Sequence, residues 1–226
     1  MVRTLILGAG EIGKSLAKVL EKNYDVTLFD RGNFAIGSFD FMHVCFPFSK
    51  IFVRQVKAYQ RHYQPRFTII HSTVPVGTSR KVSAWHSPVI GIHPFLQESL
   101  ITFTKFLGGP NNGELIQYFR RAGIKVYPTD EQENTELLKV LCTTKYGLDI
   151  EFNKEVKRLC DKNKVPFELW TLWTNNYNEG YVKLNCSEYV RPNLVPMNGK
   201  IGGHCVISNL DFLDSRFAKF LKELNK

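Results

Sequence analysis

The sequence predicts an α/β chain: a doubly wound parallel sheet, followed by a long helix and a small helical domain. Three observations lead there. Short runs that are apolar throughout recur across the first half, amphipathic helical stretches separate them, and near residue 129 the strand signal gives way to a helical period. Strands covered on both faces read as continuous apolar runs, whereas a half-solvated sheet alternates.

The strand runs are TLILG (4–8), DVTLFD (25–30), FDFMHVCFP (39–47), FTIIHS (67–72), PVIGIHPF (88–95) and KVYP (125–128). Between them Ile12, Leu16, Val19 and Leu20 share one helical face, and Phe52, Val56, Tyr59 and Tyr63 another. Thr129 and Gln132 then stand at capping-box spacing, with Asp130, Glu131 and Glu133 suited to a helix N-terminus. Apolar positions 137, 141, 148, 152, 156 and 159 recur until Pro166. A helix of that length spans about 50 Å, more than the preceding domain needs, so we expect it to meet its copy in a homodimer. Trp170, Trp173 and Tyr177 have helical spacing and are expected in the core. We place the domains at 1–128 and 129–226.

Composition narrows the class. Hydrophobic content of 43% without a long apolar run predicts a chain that does not span a membrane. MVRTLILGAG reads as a first strand, not as a signal peptide. The five cysteines (45, 142, 160, 186 and 205) are widely spaced and include no CxxC pair. We expect reduced thiols, a cytoplasmic location and no metal; Cys45, Cys142, Cys160 and Cys186 are read as core or inert thiols. The net charge of +9 is scattered among acids. It suits attraction of small anions better than a nucleic-acid surface.

Gly8-Ala9-Gly10-Glu11-Ile12-Gly13 follows the first strand and opens the first helix, the context in which a GxGxxG motif has physical content. Gly8 makes the tight turn, Gly10 admits a pyrophosphate to the backbone, and Gly13 lets helix and strand pack closely. The helix N-terminus, at Glu11 and Ile12, offers free N–H groups to phosphate. Asp30 closes the second strand, 22 residues after Gly8, where a carboxylate accepts ribose hydroxyls and repels a 2′-phosphate. Arg31 beside it pulls the other way. The reading is a Rossmann domain that binds NAD.

Four further motifs resemble the UDP-glucose/UDP-N-acetylmannosamine dehydrogenase family. VCFP (44–47), with Pro47, resembles the family's fourth strand. Ser72-Thr73-Val74-Pro75-Val76-Gly77-Thr78 is similar to its STVPVGT motif, in which the first threonine lies near the nicotinamide. Glu136-Leu137-Leu138-Lys139 resembles the segment with the active-site lysine, and Gly202-Gly203-His204-Cys205 the GGHC segment with the nucleophile. Arg191, 14 residues before Cys205, has the spacing of a substrate-binding arginine that the neighbouring subunit supplies. The resemblance implies Cys205, Lys139 and Thr73 as catalytic residues and Arg191, Gly203 and His204 as substrate contacts. Pro47, Ser72 and Thr73 join Gly8, Gly10, Glu11, Ile12, Gly13, Asp30 and Arg31 at the cofactor.

The residue chemistry agrees with those roles. A cysteine among glycines beside a histidine suits attack on an aldehyde. A half-buried lysine stabilises an alkoxide, and an arginine anchors an anionic substrate. His93-Pro94 also resembles an element of prephenate dehydrogenases.

The sequence departs from the family where Thr143 replaces an asparagine, where Asn209 replaces an aspartate, and where HPFLQE leaves Glu98 as the nearby acid. It ends 21 residues after Cys205, so the family's nucleotide-sugar-binding third domain is expected to be missing. The expected function is an NAD-dependent dehydrogenase oxidising an alcohol of a sugar or nucleotide-sugar-like small molecule, through a Cys205 thiohemiacetal. The alternatives are a two-electron β-hydroxyacid-type dehydrogenase using Lys139, and a non-catalytic NAD-binding regulatory protein.

Overall fold

The computed structural model describes residues 1–30, 36–202 and 205–226. The chain forms two compact units, Met1–Val140 and Leu141–Lys226. The division falls inside the long helix, so its first turns belong with the sheet.

The first unit holds a seven-stranded sheet among the described residues. Its elements are β1 (Arg3–Leu7), α1 (Glu11–Leu20), β2 (Asp25–Phe29), β3 (Phe41–Val44), α2 (Phe52–Tyr63), β4 (Phe67–Ile70), β5 (Trp85–His86), α3 (Leu96–Thr102), β6 (Lys105–Gly108), α4 (Gly113–Arg121) and β7 (Val126–Thr129). The strand order is β2-β1-β3-β4-β5-β6-β7, parallel except where β5 meets β6. Alternate strand residues feed two cores. Ile6, Phe41 and Ile69 pack with Leu16, Leu20, Leu96, Leu115 and Phe119, while Leu5, Met42, Val44 and Ile70 pack with Phe52, Val56 and Tyr63. Helices therefore cover both faces, as the unbroken apolar strands predict.

Three expectations need correction here. PVIGIHPF is not a strand: β5 is only Trp85–His86, and the chain beyond it runs as a loop. The Ser87 carbonyl accepts hydrogen bonds from His71 and Lys105 and the Val89 carbonyl from Lys139, so side chains satisfy this backbone in place of a ladder. The strand absent from the sequence reading is β6, hidden by Lys105 and the Gly108-Gly109 pair. Nor is there a capping box at Thr129. That residue ends β7, the helix starts at Gln132, and the Gln132 amide donates to the Ala84 carbonyl.

The long helix α5 (Gln132–Lys162, 31 residues) begins in the first unit and continues into the second. The second unit adds α6 (Phe167–Lys183), a 3-10 turn at Ile207–Phe212 and α7 (Arg216–Leu224). Its core is small: Ile201, Val206, Leu210, Ala218 and Leu221 pack with Leu148 and Ile150. Trp173 and Tyr177 lie outside it, 65% and 38% exposed, which overturns their reading as core residues. Their rings meet instead on α6 in a tilted arrangement, 6.2 Å between centroids. Among the described residues no helix is long and apolar enough to cross a membrane.

Candidate active site

Parallel register lines up the strand ends. Leu7 stands beside Val44, Val44 beside Ile70, and Ile70 beside His86. The residues that follow each strand therefore emerge on one edge, where ligands of open α/β sheets bind. Gly8 leaves β1 at φ +106°, and a Cβ there would come within 2.9 Å of the Phe46 nitrogen. A Cβ on Gly13 would lie 1.9 Å from the Gly8 carbonyl oxygen, so only glycine lets α1 sit this close. A Cβ on Gly10 would meet nothing within 4 Å, leaving the approach to the helix N-terminus open. Glu11 and Ile12 form the first turn of α1, and Glu11 pairs with His93 at 2.6 Å.

A cavity of about 350 Å³ opens beside this turn, lined by Gly8, Phe29, Asp30, Phe46, Pro47 and Tyr59 among others. It joins the aromatic rings of Phe29, Phe46 and Tyr59 to the Asp30 carboxylate. Ser72 borders the same edge, but its hydroxyl donates to the Phe46 carbonyl at 2.6 Å. That bond pins the turn after β4 to the segment after β3. Thr73 follows, half-buried.

The first turns of α5 close the other side. Their inward face is polar: Gln132 reaches the Ala84 carbonyl, Thr135 bonds His86 at 2.8 Å, Glu136 takes two backbone N–H groups, and Lys139 donates to the Val89 carbonyl at 2.9 Å. Gly108 permits the approach, since a Cβ there would lie 2.4 Å from the Thr135 hydroxyl. Lys139 is thus held, half-buried, against the segment that continues β5. The structure brings Gly8, Gly10, Glu11, Ile12, Gly13, Asp30, Pro47, Ser72, Thr73 and Lys139 to one unit and one sheet edge.

Cys205 and Arg191 belong to the second unit. Cys205 is an exposed free thiol just before the 3-10 turn, and its carbonyl accepts from the Asn209 amide at 2.6 Å. Arg191 lies over the rings of Tyr177 and Tyr181, 4.4 and 5.6 Å from their centroids. Asn178 on α6 fixes the Arg191 backbone with two hydrogen bonds of 2.9 Å. Thr143 sits half-buried on α5. Arg31, Gly203 and His204 lie outside the described residues. Among the described residues no cluster of three His, Cys, Asp or Glu side chains could hold a metal.

No family model and no curated protein sequence matches this chain. Solved structures do. UDP-D-ManNAc dehydrogenase from Pyrococcus horikoshii superposes with a TM-score of 0.79 at 16% identity, over 99% of this chain and 68% of that one. UDP-glucose dehydrogenase from the hyperthermophilic archaeon Pyrobaculum islandicum gives 0.76 at 13%, over 100% and 68%. The chain has the fold of the UDP-sugar dehydrogenases. It spans about two thirds of their length. 3-Hydroxyisobutyrate dehydrogenase from Mycobacterium tuberculosis is similar too, at a TM-score of 0.71 and 16% identity, over 99% of this chain and 92% of that one.

Within the UDP-sugar dehydrogenase fold, one feature escapes the sequence reading: a polar chain through the sheet core. Ser87 offers only a carbonyl, so His71 must donate to it from Nδ1, at 2.8 Å, and accept at Nε2. His43 then donates from Nδ1, at 2.8 Å, and accepts at Nε2 from the Tyr118 hydroxyl, at 2.9 Å. Both rings are neutral. Burial pushes His43 down to about 3, helped by the Lys105 charge, and His71 well below its usual range for the same two reasons. Lys105, only 5% exposed, donates to the same Ser87 carbonyl at 2.9 Å; burial brings it down to about 7. Burial likewise pushes the Cys45 thiol up to about 12, which makes it inert at neutral pH. Nothing in the spacing of these residues along the sequence announces the chain; only the strand register assembles it. Cys142, by contrast, is exposed and not a core thiol.

Proposed function

We propose that the chain is an NAD-dependent dehydrogenase acting on a CH–OH group of a sugar or similar polyhydroxy compound. The observation that carries this reading is the convergence on one sheet edge of the open glycine turn, the cavity rimmed by Asp30, and the Thr73 and Lys139 segments. Gly8, Gly10 and the first turn of α1 would hold the pyrophosphate, Asp30 the adenine ribose, and the turn around Thr73 the nicotinamide side. When bound, the nicotinamide accepts a hydride from the substrate carbon. Lys139 supplies a positive charge to the oxygen of that carbon, and Thr73 orients it. Cys205, exposed and free, adds its sulfur to the resulting aldehyde carbon, which would permit a second oxidation. Arg191 and His204 would grip the substrate's anionic part.

Asp30 favours NAD over NADP. Fluorescence titration should show NADH binding at least about tenfold tighter than NADPH, a difference of roughly 1.4 kcal/mol. Equal affinities would remove that preference.

The free cysteines suit a cytoplasmic home. The exposed apolar stripe of α5 suits a homodimer. One observation favours a second reading, the β-hydroxyacid type relying on Lys139 alone: the similarity to the 3-hydroxyisobutyrate enzyme extends over 92% of that chain. Mutating Cys205 to Ala separates the two, since only the sugar reading needs the thiol.

A further inference from the structure

Among the described residues Glu136 is the one carboxylate with no exposure at all. Removing a carboxylate from water is costly unless its oxygens are satisfied, and here both are. One accepts the Gly77 N–H at 2.5 Å and the other the Ser79 N–H at 2.7 Å. Those donors sit on the turn that leaves Thr73. It is shaped by Gly77 at φ +83° and by Thr78, whose hydroxyl and N–H both donate to the Pro75 carbonyl. Charge-assisted bonds of this kind are short and directional, and two of them fix an orientation as well as a distance.

Glu136 also stands three residues before Lys139 on α5, so the two share a helical face. One side chain therefore couples the turn that carries Thr73 to the helical turn that carries Lys139. A neutral hydrogen-bonding residue would have satisfied one N–H at a lower desolvation cost. A carboxylate takes both.

We propose that Glu136 is a positioning residue: it holds the 73–79 turn in register with Lys139, so that Thr73 and Lys139 face the nicotinamide half of the cleft together. This rests on the reading of that edge as a dinucleotide site.

The test uses two probes that share one half. NADH occupies the adenosine and nicotinamide sides, whereas ADP-ribose lacks the nicotinamide. Glu136→Gln keeps the shape but leaves one oxygen for two donors. It should weaken NADH binding by about tenfold, roughly 1.4 kcal/mol, and leave ADP-ribose within about twofold of the wild type. Equal losses for the two probes, or no loss, would overturn the assignment alone, because a merely structural residue does not distinguish them. Should circular dichroism find the Gln variant unfolded, Glu136→Asp is titrated in its place. The Asp variant keeps the charge on a shorter arm, and the same split between probes is expected, and its absence again overturns the assignment. A wild-type chain that binds neither probe overturns the dinucleotide reading and this assignment with it.

Discussion

His43, His71 and His86 are buried as neutral rings, with His86 brought down to about 3 by burial. The unfolded chain binds protons at these three near 6.5, the folded chain only well below that. Stability contributed by the neutral rings is therefore present above about 6.5 and lost as pH falls toward 3, by up to about 4 kcal/mol per pH unit where all three differ. Lys105 acts in another window. It is charged in the unfolded chain up to about 10.5 and loses its proton near 7 when folded, so its contribution rises with pH between those values. Thermal unfolding followed from pH 4 to 9 should show a steep loss on the acid side and a gentler rise above 7. In Lys105→Met the rise above 7 should vanish; its persistence would place the buried amine elsewhere. Cys205 gives a second residue-scale prediction. Iodoacetamide followed by peptide mapping should label the exposed Cys205 well before Cys45, with bound NADH slowing it. A Cys205 slower than Cys45 would remove it as a nucleophile. The glycine fingerprint was legible because its three glycines lie within six residues of one another, directly between the first strand run and the first helical face, and Gly8 and Gly13 meet close backbone contacts there. The histidine chain was not, because its members are far apart in the sequence: His43 on β3, His71 just after β4, Ser87 just after β5 and Tyr118 on α4.

The long helix shows how far a periodic pattern reaches. Its existence and length follow from the spacing of residues 137 to 159. Its buried face does not. The residues that pack on the sheet are Gln132, Thr135, Glu136 and Val140, while Leu137, Leu141, Phe152 and Leu159 are 39%, 43%, 59% and 42% exposed. Polar residues face inward because they must satisfy backbone groups of segment 77–89 that no strand pairs. These four side chains are left outside, and we propose that they meet a second copy of the chain. Light scattering should return about twice the 26.0 kDa of one chain. Leu141→Asp with Phe152→Asp should give the monomer. A wild type that is monomeric at micromolar concentration would assign the stripe to another partner. Short strands were the weakest elements to read. β5 has two residues and β6 carries a lysine and a glycine, so neither offers the apolar run that marks β1, β3 and β4.

At the scale of the whole molecule, the fold covers two thirds of the UDP-sugar dehydrogenases it resembles and nearly all of a hydroxyacid enzyme. Binding energy from remote parts of a substrate normally offsets the cost of positioning its reacting carbon. We therefore predict that UDP-glucose and UDP-N-acetylmannosamine are poor substrates for this chain tested alone. The proposed reaction is hydride transfer to NAD at the Thr73 and Lys139 edge. The most direct measurement follows absorbance at the NADH band when the chain and NAD are offered nucleotide sugars, free sugars and 3-hydroxy acids. NADH is expected from a free sugar or hydroxy acid, with little from either nucleotide sugar, and at least a hundredfold loss in Lys139→Met, about 2.7 kcal/mol. A chain that binds NADH but reduces NAD with no member of the panel, or a Lys139→Met variant as active as the wild type, would contradict it.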